Sequence, residues 1–403
     1  MTEKTYYNQP YTRTITAYVK TIVPYKKRWS IELDRTIFYP EGGGQPGDQG
    51  DIEGCTIINT IKHDGSILHL TDAEPMITVG QEVVCSIDWS HRYDYMQQHT
   101  GQHIISGVLY RELKIGTVSV HQGEEYMTIE TDRKMITDDE IIVIEDAANR
   151  IISENHSIWY DEKSEEDVAD IPLRRTPKVK GMIRLVTIDT CDIAACGGIH
   201  LHTTGEVLLI KCIGTEVIRG RVRLIFKIGD RAVEDYRNKD LIVRQLVKLY
   251  SAQQPEILDQ ARHRIDQIKE LQTSSAVIER KYMSMLLSQA ITKSDQVENI
   301  SIVTLDLSQE APGVLKEIVK VLPQNQPLAL CAVQEQQHGG LQWLITVTKG
   351  VNMDISIVRD RLFPLIHAKG GGKSPVWQGM GTDASGKEQF LAVFKELFIH
   401  QEN

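Results

Sequence analysis

Cysteine is scarce in this sequence, and long apolar runs are missing from it. Six cysteines are scattered over 403 residues, which excludes a small disulfide-stabilised scaffold and favours a reducing compartment. No apolar run reaches the roughly 18 residues that a membrane-spanning helix needs. The N-terminal segment has no apolar stretch after its charged residues, so it does not resemble a secretory signal. We therefore expect a cytoplasmic protein with no membrane partner.

The sequence also has fewer basic residues than acidic residues. The chain has 45 Lys and Arg residues against 55 Asp and Glu residues, a formal net charge of −10. This balance argues against indiscriminate binding to polyanions, although a local basic patch could still bind RNA phosphates. The hydrophobic fraction of 41% and the charged fraction of 25% are typical of a globular protein, and the length favours two or three domains.

The hydrophobic patterns predict an α+β fold with four segments. Residues 1–90 contain five runs rich in β-branched and aromatic residues, which predict an N-terminal antiparallel β-barrel or sandwich. Ser90 is then expected to cap a helix that ends near Leu113. Residues 91–228 alternate strand and helix patterns as an α+β domain, and residues 297–403 repeat such an alternation as an α/β domain.

Residues 229–296 have a helical period and are interpreted as a helical hairpin that links the second and last domains. Pro255 suits the first turn of its second helix. An apolar seam runs along that helix at steps of three and four residues, through Leu258, Ala261, Ile265, Ile268 and Leu271. This seam also makes a homodimer one hypothesis.

Two histidines, His99 and His103, stand four residues apart in "MQQHTGQHIISGVLY". On a helix they would share one face, at a spacing that lets two imidazoles bind one metal ion. The metalloprotease motif H-E-x-x-H carries a glutamate between its histidines, whereas residues 100–102 include no carboxylate, so a peptidase is disfavoured. A pair at this spacing also arises by chance, and it does not establish a metal site by itself.

A second candidate motif lies in "CDIAACGGIHLHTTGEV", where Cys196 and His200 bracket two glycines that favour a turn. Together, His99, His103, Cys196 and His200 offer three nitrogens and one sulfur, a ligand set suited to Zn²⁺. Cys191 and His202 are alternative ligands. The alternative without metal is a buried cysteine and a surface histidine. Four protein ligands would close the site, as in structural zinc sites, whereas a catalytic zinc needs an exchangeable position.

These residues resemble the editing domain shared by alanyl-tRNA synthetases and the AlaX trans-editing proteins. The resemblance rests on "HTGQH", on "CGGIH" followed by "TTGE", and on the glycine-rich "LDRTIFYPEGGGQPGDQG" at residues 33–50. A fourth stretch, "KGGGKSPVWQGMGTD" at residues 369–383, is similar to the end of the synthetase's DHHA1-type C-terminal domain. No aminoacylation domain precedes the barrel motif, so the resemblance is to the long, free-standing form.

The resemblance implies a zinc-dependent deacylase that removes serine, and sometimes glycine, from mischarged alanine tRNA. It makes His121, Thr36 and Gln45 candidate catalytic residues. Candidate substrate-binding residues in the same two regions are Thr100, Gly42, Gly43, Gly44 and Asp48. The alternatives are an ordinary strand histidine, a barrel turn and a packed threonine.

The "GGGKS" stretch at residues 370–374 fails the test for a nucleotide-binding P-loop, because His367 stands where that motif requires glycine. A loop that binds the tRNA backbone through Lys369 and Lys373 is the preferred interpretation, and a structural turn is the alternative. Two other functions stay open: a zinc hydrolase of another aminoacyl ester or amide, and a tRNA-binding protein whose zinc is only structural.

Overall fold

The computed structural model describes residues 2–176, 181–336 and 339–399. The chain divides into two compact units, residues 1–246 and residues 247–403. Helices and mostly antiparallel sheets make up both, so the predicted α+β class is confirmed. Among the described residues, no helix combines the length and apolar composition that a bilayer crossing requires. The four predicted domain limits are not tested by this division.

The first part of the first unit consists mainly of strands. In chain order its first elements are β1 (Glu3–Lys4), α1 (Thr5–Asn8), β2 (Thr14–Tyr25), β3 (Arg28–Leu33), β4 (Arg35–Thr36), β5 (Gly50–Ile52), β6 (Cys55–Ile57), β7 (Asn59–His63), β8 (Ser66–Thr71) and β9 (Glu82–Ile87). The five apolar runs of the sequence each contain a strand, as predicted. β1 and β4 form a small parallel pair.

The remaining seven strands form one antiparallel sheet in the order β6-β5-β9-β2-β3-β8-β7. The predicted closed β-barrel is wrong, because no ladder in the described chain joins the edge strands β6 and β7. Only Ile58 separates these two strands, so they follow one another along the chain and do not lie side by side. The sheet buries one apolar face, which includes Ile31, Leu33, Val83 and Cys85.

The rest of the first unit surrounds one long helix. Its elements are α2 (Trp89–Leu113), β10 (Thr117–Gln122), β11 (Met127–Thr131), α3 (Asp138–Glu154), β12 (Ile158–Ser164), α4 (Glu165–Ala169), β13 (Met182–Ile188), β14 (Asp192–Ala195), β15 (Ile210–Ile218), β16 (Arg221–Ile228) and most of α5 (Asp230–Tyr250), whose last four residues are assigned to the second unit. A 3₁₀ turn covers Thr204–Val207. The strands form two antiparallel sheets, β10-β11-β16-β15 and β12-β13-β14.

Helix α2 ends at Leu113 as predicted, but its N-cap is Asp88 and not Ser90. The Asp88 carboxylate accepts a hydrogen bond from the backbone N–H of His91, at 3.1 Å, and Ser90 donates its hydroxyl to the same oxygen. A carboxylate accepts from both donors at once, which explains why the cap lies two residues earlier. From Tyr95 to Leu109 the helix is buried in the largest apolar core of the unit.

The second unit is a six-stranded sheet with helices on both faces. Its elements are α6 (Ile257–Thr292), β17 (Asp295–Val297), β18 (Ile300–Asp306), α7 (Val314–Ile318), β19 (Leu328–Glu335), β20 (Leu341–Val347), α8 (Ile355–Leu362), β21 (Ala368–Lys373), β22 (Val376–Gly381) and α9 (Lys387–Ile399). The order is β17-β18-β19-β20-β22-β21, and β18 and β19 are parallel. One core lies under α8 and α9, and the other lies under α7 and the end of α6.

The helical period predicted after residue 229 is confirmed by α5 and α6, with Pro255 in a short 3₁₀ turn before α6. The apolar seam of α6 is not buried. Leu258 and Leu271 are 69% and 70% exposed, and Ile265 and Ile268 are more than half exposed. A packed seam is therefore not observed in the described chain, and the homodimer hypothesis stays a prediction.

The glycines at 370–372 do not form a loop, which corrects the sequence interpretation. They belong to β21, the edge strand of the sheet, and pair with β22. A Cβ added to Gly370 or to Gly379 would lie 2.6 Å from the indole of Trp343, so both glycines are required by this buried ring. Gly371 is different, because a Cβ there would meet no atom within 4 Å.

We predict that Gly370→Ala destabilises the second unit by about 1–3 kcal/mol, because the new methyl group overpacks the core at Trp343. Gly371→Ala, one residue away on the same strand, is the matched control and should change stability little. Thermal unfolding of the two full-length variants measures the difference. Equal melting temperatures would contradict this explanation of the glycines.

Candidate metal centre

The four predicted metal ligands come together in the first unit. His99 and His103 project from the same face of α2, and Cys196 and His200 lie in the segment after β14, residues 196–203, here called the ligand loop. The four ligand atoms all lie within 4.8 Å of one another. The alternative ligands are outside this cluster: Cys191 points at a backbone oxygen of α2, and the ring of His202 packs on Tyr11.

Acceptor oxygens orient both histidines of α2. Nδ1 of His99 lies 2.9 Å from Oε1 of Gln45, and Nδ1 of His103 lies 2.9 Å from Oδ2 of Asp192. An oxygen at Nδ1 holds a proton on that nitrogen and turns Nε2 toward the opposite side. Nε2 of His99 indeed lies 3.3 Å from Sγ of Cys196. The two supporting oxygens therefore aim both rings into the cluster.

Asp192 is itself held by Arg174. The guanidinium donates to both carboxylate oxygens, at 2.7 and 2.9 Å, in a buried two-point contact. Burial alone would raise the pKa of Asp192, but Arg174 and His103 outweigh it and lower the pKa to about 2. Burial would likewise lower the pKa of His103, but Asp192 and Cys196 outweigh it and raise that pKa to about 9. A metal at Nε2 would displace the second proton of this ring.

The other two ligands have the protonation states that a metal needs. Burial would raise the pKa of the Cys196 thiol, but His99, His200 and hydrogen bonds in the cluster hold this pKa well below its ordinary value. The thiolate is therefore favoured, as metal binding requires. Burial, reinforced by His99, lowers the pKa of His200 to about 3, so this imidazole is neutral at pH 7.

The distance between two of the ligand atoms fits a tetrahedral ion. Tetrahedral zinc, with bonds of about 2.0–2.3 Å, places its ligand atoms about 3.3–3.8 Å apart, which matches the distance between Cys196 Sγ and His99 Nε2. Both ring nitrogens of His200 are buried and have no hydrogen-bond partner among the described residues. Because buried polar atoms are normally paired, a ligand for this ring is expected. The four residues could hold a metal ion.

Gly198 makes the cluster sterically feasible. A Cβ at this position would lie 2.0 Å from Cε1 of His99 and 3.1 Å from Oε1 of Gln45. The φ angle of Gly198 is not positive, so the requirement is for space and not for a tight turn. The neighbouring Gly197 is exposed, and a Cβ there would only reach the Tyr7 hydroxyl, at 3.8 Å.

The glycine-rich motif forms a turn that presents Gln45. Gly42 and Gln45 exchange two backbone hydrogen bonds of 3.1 Å. Between them Gly43 and Gly44 have φ angles of +63° and +88°, which a residue with a side chain adopts only at a cost. A Cβ on Gly44 would lie 3.8 Å from a backbone oxygen of β10, the strand that carries His121. The turn thus fixes the oxygen that orients His99.

Three other predicted residues are buried and bonded within the protein. The Thr36 hydroxyl lies 2.8 Å from Nε2 of His69, and Asp48 forms a buried ion pair with Arg92. The Thr100 hydroxyl accepts a hydrogen bond of 3.1 Å from a backbone N–H of the ligand loop. These contacts are structural, and the catalytic or substrate-binding roles suggested for the three residues stay predictions.

His121 is exposed on β10, opposite Thr128 of β11. Lys369 and Lys373 belong to the second unit, where both are exposed on β21. The predicted functional residues thus fall into two groups: those of the first unit, which include the four candidate metal ligands, and the two lysines of the second unit. The functions suggested for these three residues stay predictions.

Sequence reasoning missed Asp192, Arg174 and Arg184. Asp192 stands four residues before Cys196 in the quoted motif, and a carboxylate so close to a ligand is a reasonable candidate for bonding a histidine. Arg184 donates hydrogen bonds of 2.9 and 2.8 Å to the carbonyl oxygens of Cys196 and Gly198. No local pattern marks either arginine, because their partners are distant in the sequence.

Two family profiles match parts of the first unit, and His99 and His103 lie between the two matched regions. The family described as class II (A) tRNA synthetases matches residues 3–91, and the second additional domain of threonyl and alanyl tRNA synthetases matches residues 183–226. The second match includes Cys196, His200 and Arg184. In these two regions the chain is therefore similar to domains of class II tRNA synthetases.

Individual relatives extend the similarity to the whole chain. The chain is 28% identical to the alanyl-tRNA editing protein AlaX-L of Pyrococcus horikoshii, over 99% of both sequences. It is 25% identical to the alanyl-tRNA editing protein Aarsd1 of Rattus norvegicus, over 93% of this chain and 89% of that protein. An alanine–tRNA ligase of Pyrococcus abyssi is 28% identical, but the chain covers only 44% of it. The resemblance is confirmed, and the chain is a homologue of the alanyl-tRNA editing proteins.

We predict that Gly198→Ala abolishes stoichiometric metal binding, because the methyl group would overlap the ring of His99. Gly197→Ala, the adjacent control, should bind metal like the wild type. Metal analysis of both purified full-length variants after loading with zinc provides the measurement. If the Gly198→Ala protein retains about one zinc per chain, the His99 ring can move away from residue 198 without loss of the metal, and this explanation of Gly198 is wrong.

Proposed function

We propose that this protein is an aminoacyl-tRNA deacylase that hydrolyses the ester of serine, and also of glycine, on mischarged alanine tRNA, with zinc bound by His99, His103, Cys196 and His200. The observation that supports this most strongly is the four-ligand cluster, in a chain that matches alanyl-tRNA editing proteins over nearly their full length. The donor set of three imidazoles and a thiolate favours zinc over harder ions.

A separate hydrolytic site meets a physical need. A pocket that accepts alanine cannot strongly reject glycine, which lacks one methyl group, or serine, which adds one hydroxyl. Binding differences of this size give only modest discrimination, so mischarged alanine tRNA must be removed by a second reaction. Serine and glycine are therefore the amino acids expected on the substrate.

The chain's own residues would hold the metal ligands in fixed positions before the ester binds. Gln45 and Asp192 hold the two histidines of α2, and Arg184 holds the backbone of the ligand loop. When bound, zinc would act in one of two ways. It would serve as a Lewis acid for the attack of water on the ester, or it would anchor the substrate. An aminoacyl ester is already activated, so positioning and stabilisation of the developing oxyanion account for most of the required rate.

Roles are also proposed for the remaining candidate residues. His121, Thr36 and Gln45 are proposed as catalytic or positioning residues, and for Gln45 the contact with His99 favours positioning. The turn at Gly42, Gly43 and Gly44 would let the substrate approach the backbone. Asp48 and Thr100 are proposed to shape the substrate pocket through their buried contacts with Arg92 and the ligand loop.

The second unit is proposed to bind the tRNA away from the ester. Lys369, Gly371 and Lys373 alternate along β21 and so share one face of this edge strand. No side-chain atom would obstruct an approach at Gly371, and neither lysine forms an ion pair in the described chain. Two free ammonium groups beside a bare strand segment suit a phosphate backbone.

We predict that the zinc-loaded protein deacylates serine-charged alanine tRNA much faster than the alanine-charged form. The reason is that only the mischarged product needs removal. Initial rates on both substrates, with and without a chelator, provide the test, and Cys196→Ala should lose both zinc and activity. The His99→Ala, Cys196→Ala double variant should bind no zinc.

Several outcomes separate the alternatives. Equal rates on the two charged forms would indicate a generic esterase and refute the proposal. Activity only on other mischarged tRNAs would indicate a different aminoacyl ester. Tight tRNA binding and stoichiometric zinc with no deacylation of any substrate would indicate a binding protein whose zinc is structural.

A second prediction concerns the lysines of β21. Lys369→Ala together with Lys373→Ala should weaken tRNA binding by about 1–3 kcal/mol, because the variant removes charge-assisted hydrogen bonds to phosphates. The slope of log affinity against log salt should flatten by roughly 0.7–0.9 for each phosphate that is no longer neutralised. KM should rise while kcat is preserved, since these lysines would bind the ground state and the transition state equally. Lys316→Ala with Lys349→Ala, two other lysines of this unit, is the control, and equal weakening in both double variants would refute a specific site.

A further inference from the structure

Several peptide groups of the ligand loop are held at both ends. These groups are trans, so the C=O and the N–H of each point in opposite directions. A hydrogen-bond partner at both ends therefore fixes the orientation of the whole group. Three groups have such pairs of partners, and they join residues 197 and 198, 198 and 199, and 200 and 201.

The carbonyl ends of these three groups bond to side chains from outside the loop. In chain order, the carbonyl oxygens of residues 197, 198 and 200 accept from Tyr7, Arg184 and Tyr160, at 3.0, 2.8 and 3.3 Å. The guanidinium of Arg184 lies 4.8 Å from the centroid of the Tyr7 ring and 4.0 Å from that of the Tyr160 ring. The three donors therefore support one another as well as the loop.

The N–H ends of the same groups have three different partners. The N–H of Gly198 donates to Sγ of Cys196 at 3.4 Å. The N–H groups of residues 199 and 201 donate to Oε1 of Gln45 and to the hydroxyl of Thr100, at 3.3 and 3.1 Å. Of the three, the N–H of Gly198 alone reaches a candidate metal ligand. The side chain at the other end of its peptide group is Tyr7.

The peptide group between Gly197 and Gly198 is also the one that rotates most easily. Neither flanking residue has a Cβ, so the φ and ψ angles on both sides meet few steric barriers. A rotation would turn the N–H of Gly198 away from the sulfur, and the hydroxyl of Tyr7 opposes that rotation by holding the carbonyl oxygen. Tyr7 is itself fixed in α1, where its ring lies 4.6 Å from the ring of the buried Tyr6.

We propose that Tyr7 is a positioning residue of the candidate metal centre, which orients the peptide group between Gly197 and Gly198 so that its N–H bonds to the thiolate of Cys196. The proposal rests on the zinc site of the deacylase function proposed above. An N–H donor stabilises the lone pairs of a thiolate and so reduces the electron density that the sulfur gives to a metal. Tyr7, 190 residues from its acceptor in the sequence, would thus tune a ligand that it does not touch.

Cobalt(II) in place of zinc reports on the sulfur directly and needs no tRNA. A cobalt–thiolate bond gives a charge-transfer absorption band, and the energy of this band falls when the sulfur loses a hydrogen bond. Tyr7→Phe keeps the ring beside Arg184 and removes only the hydroxyl. We expect this full-length variant to bind about one cobalt per chain, like the wild type, with the band moved to longer wavelength.

Tyr160→Phe is the matched control. It also keeps a ring beside Arg184 and loses a hydroxyl that bonds to a loop carbonyl oxygen. The peptide group that Tyr160 holds donates to Thr100 and not to the sulfur, so the band should stay where it is in the wild type. A general loosening of the loop would instead move the band in both variants.

Release of zinc to an excess of chelator supplies the second measurement. Tyr7→Phe should release zinc about two- to tenfold faster than the wild type, as expected for the loss of one hydrogen bond. An unchanged band in Tyr7→Phe, or equal shifts in Tyr7→Phe and Tyr160→Phe, would overturn the positioning role. A wild-type protein that binds neither cobalt nor zinc would overturn this role together with the zinc site. A shift confined to Tyr7→Phe, in a protein that deacylates no charged tRNA, would support the positioning role and refute only the deacylase function.

Discussion

The close approach of Gly198 to the ring of His99 is the contact on which the candidate metal centre depends. Only a residue without a side chain lets the ligand loop lie against α2 at this distance. That approach brings the thiol of Cys196 within 3.3 Å of Nε2 of His99 and buries His200 between the two histidines of the helix. The spacing of the ligands along the sequence is therefore necessary but not sufficient, because the two pairs of ligands meet only where Gly198 lets the ligand loop approach α2.

The surrounding structure maintains this contact from both sides. Gln45, presented by the glycine turn, bonds His99 and also accepts from the backbone of the ligand loop at residue 199. Asp192, fixed by Arg174, bonds His103 on the other side. Buried acceptors of this kind hold each ring in one orientation before any metal binds, which reduces the ordering that binding has to supply.

The local part of this arrangement could be predicted from the sequence. Two histidines four residues apart require only a helix to share a face, and the strands around them are marked by β-branched residues. Contacts between distant segments could not be predicted. Asp192 meets His103 across 89 residues and Gln45 meets His99 across 54, and neither distance leaves a periodic signal. The prediction of a closed barrel is wrong for the same reason, because closure depends on how edge strands pair and not on how many strands there are.

Under the proposed function, the distribution of charge would give the two units different means of recognising tRNA. Residues 1–246 have 29 Lys and Arg against 38 Asp and Glu, whereas residues 247–403 have 16 against 17. A unit with a net charge of −9 opposes the approach of a phosphate chain, so recognition near the ester would have to rely on groups other than phosphate. The nearly neutral second unit opposes it less, and its two exposed lysines on β21 would be the proposed phosphate contacts. Recognition of the ester end and affinity for the backbone would then come from separate units, with different dependences on salt.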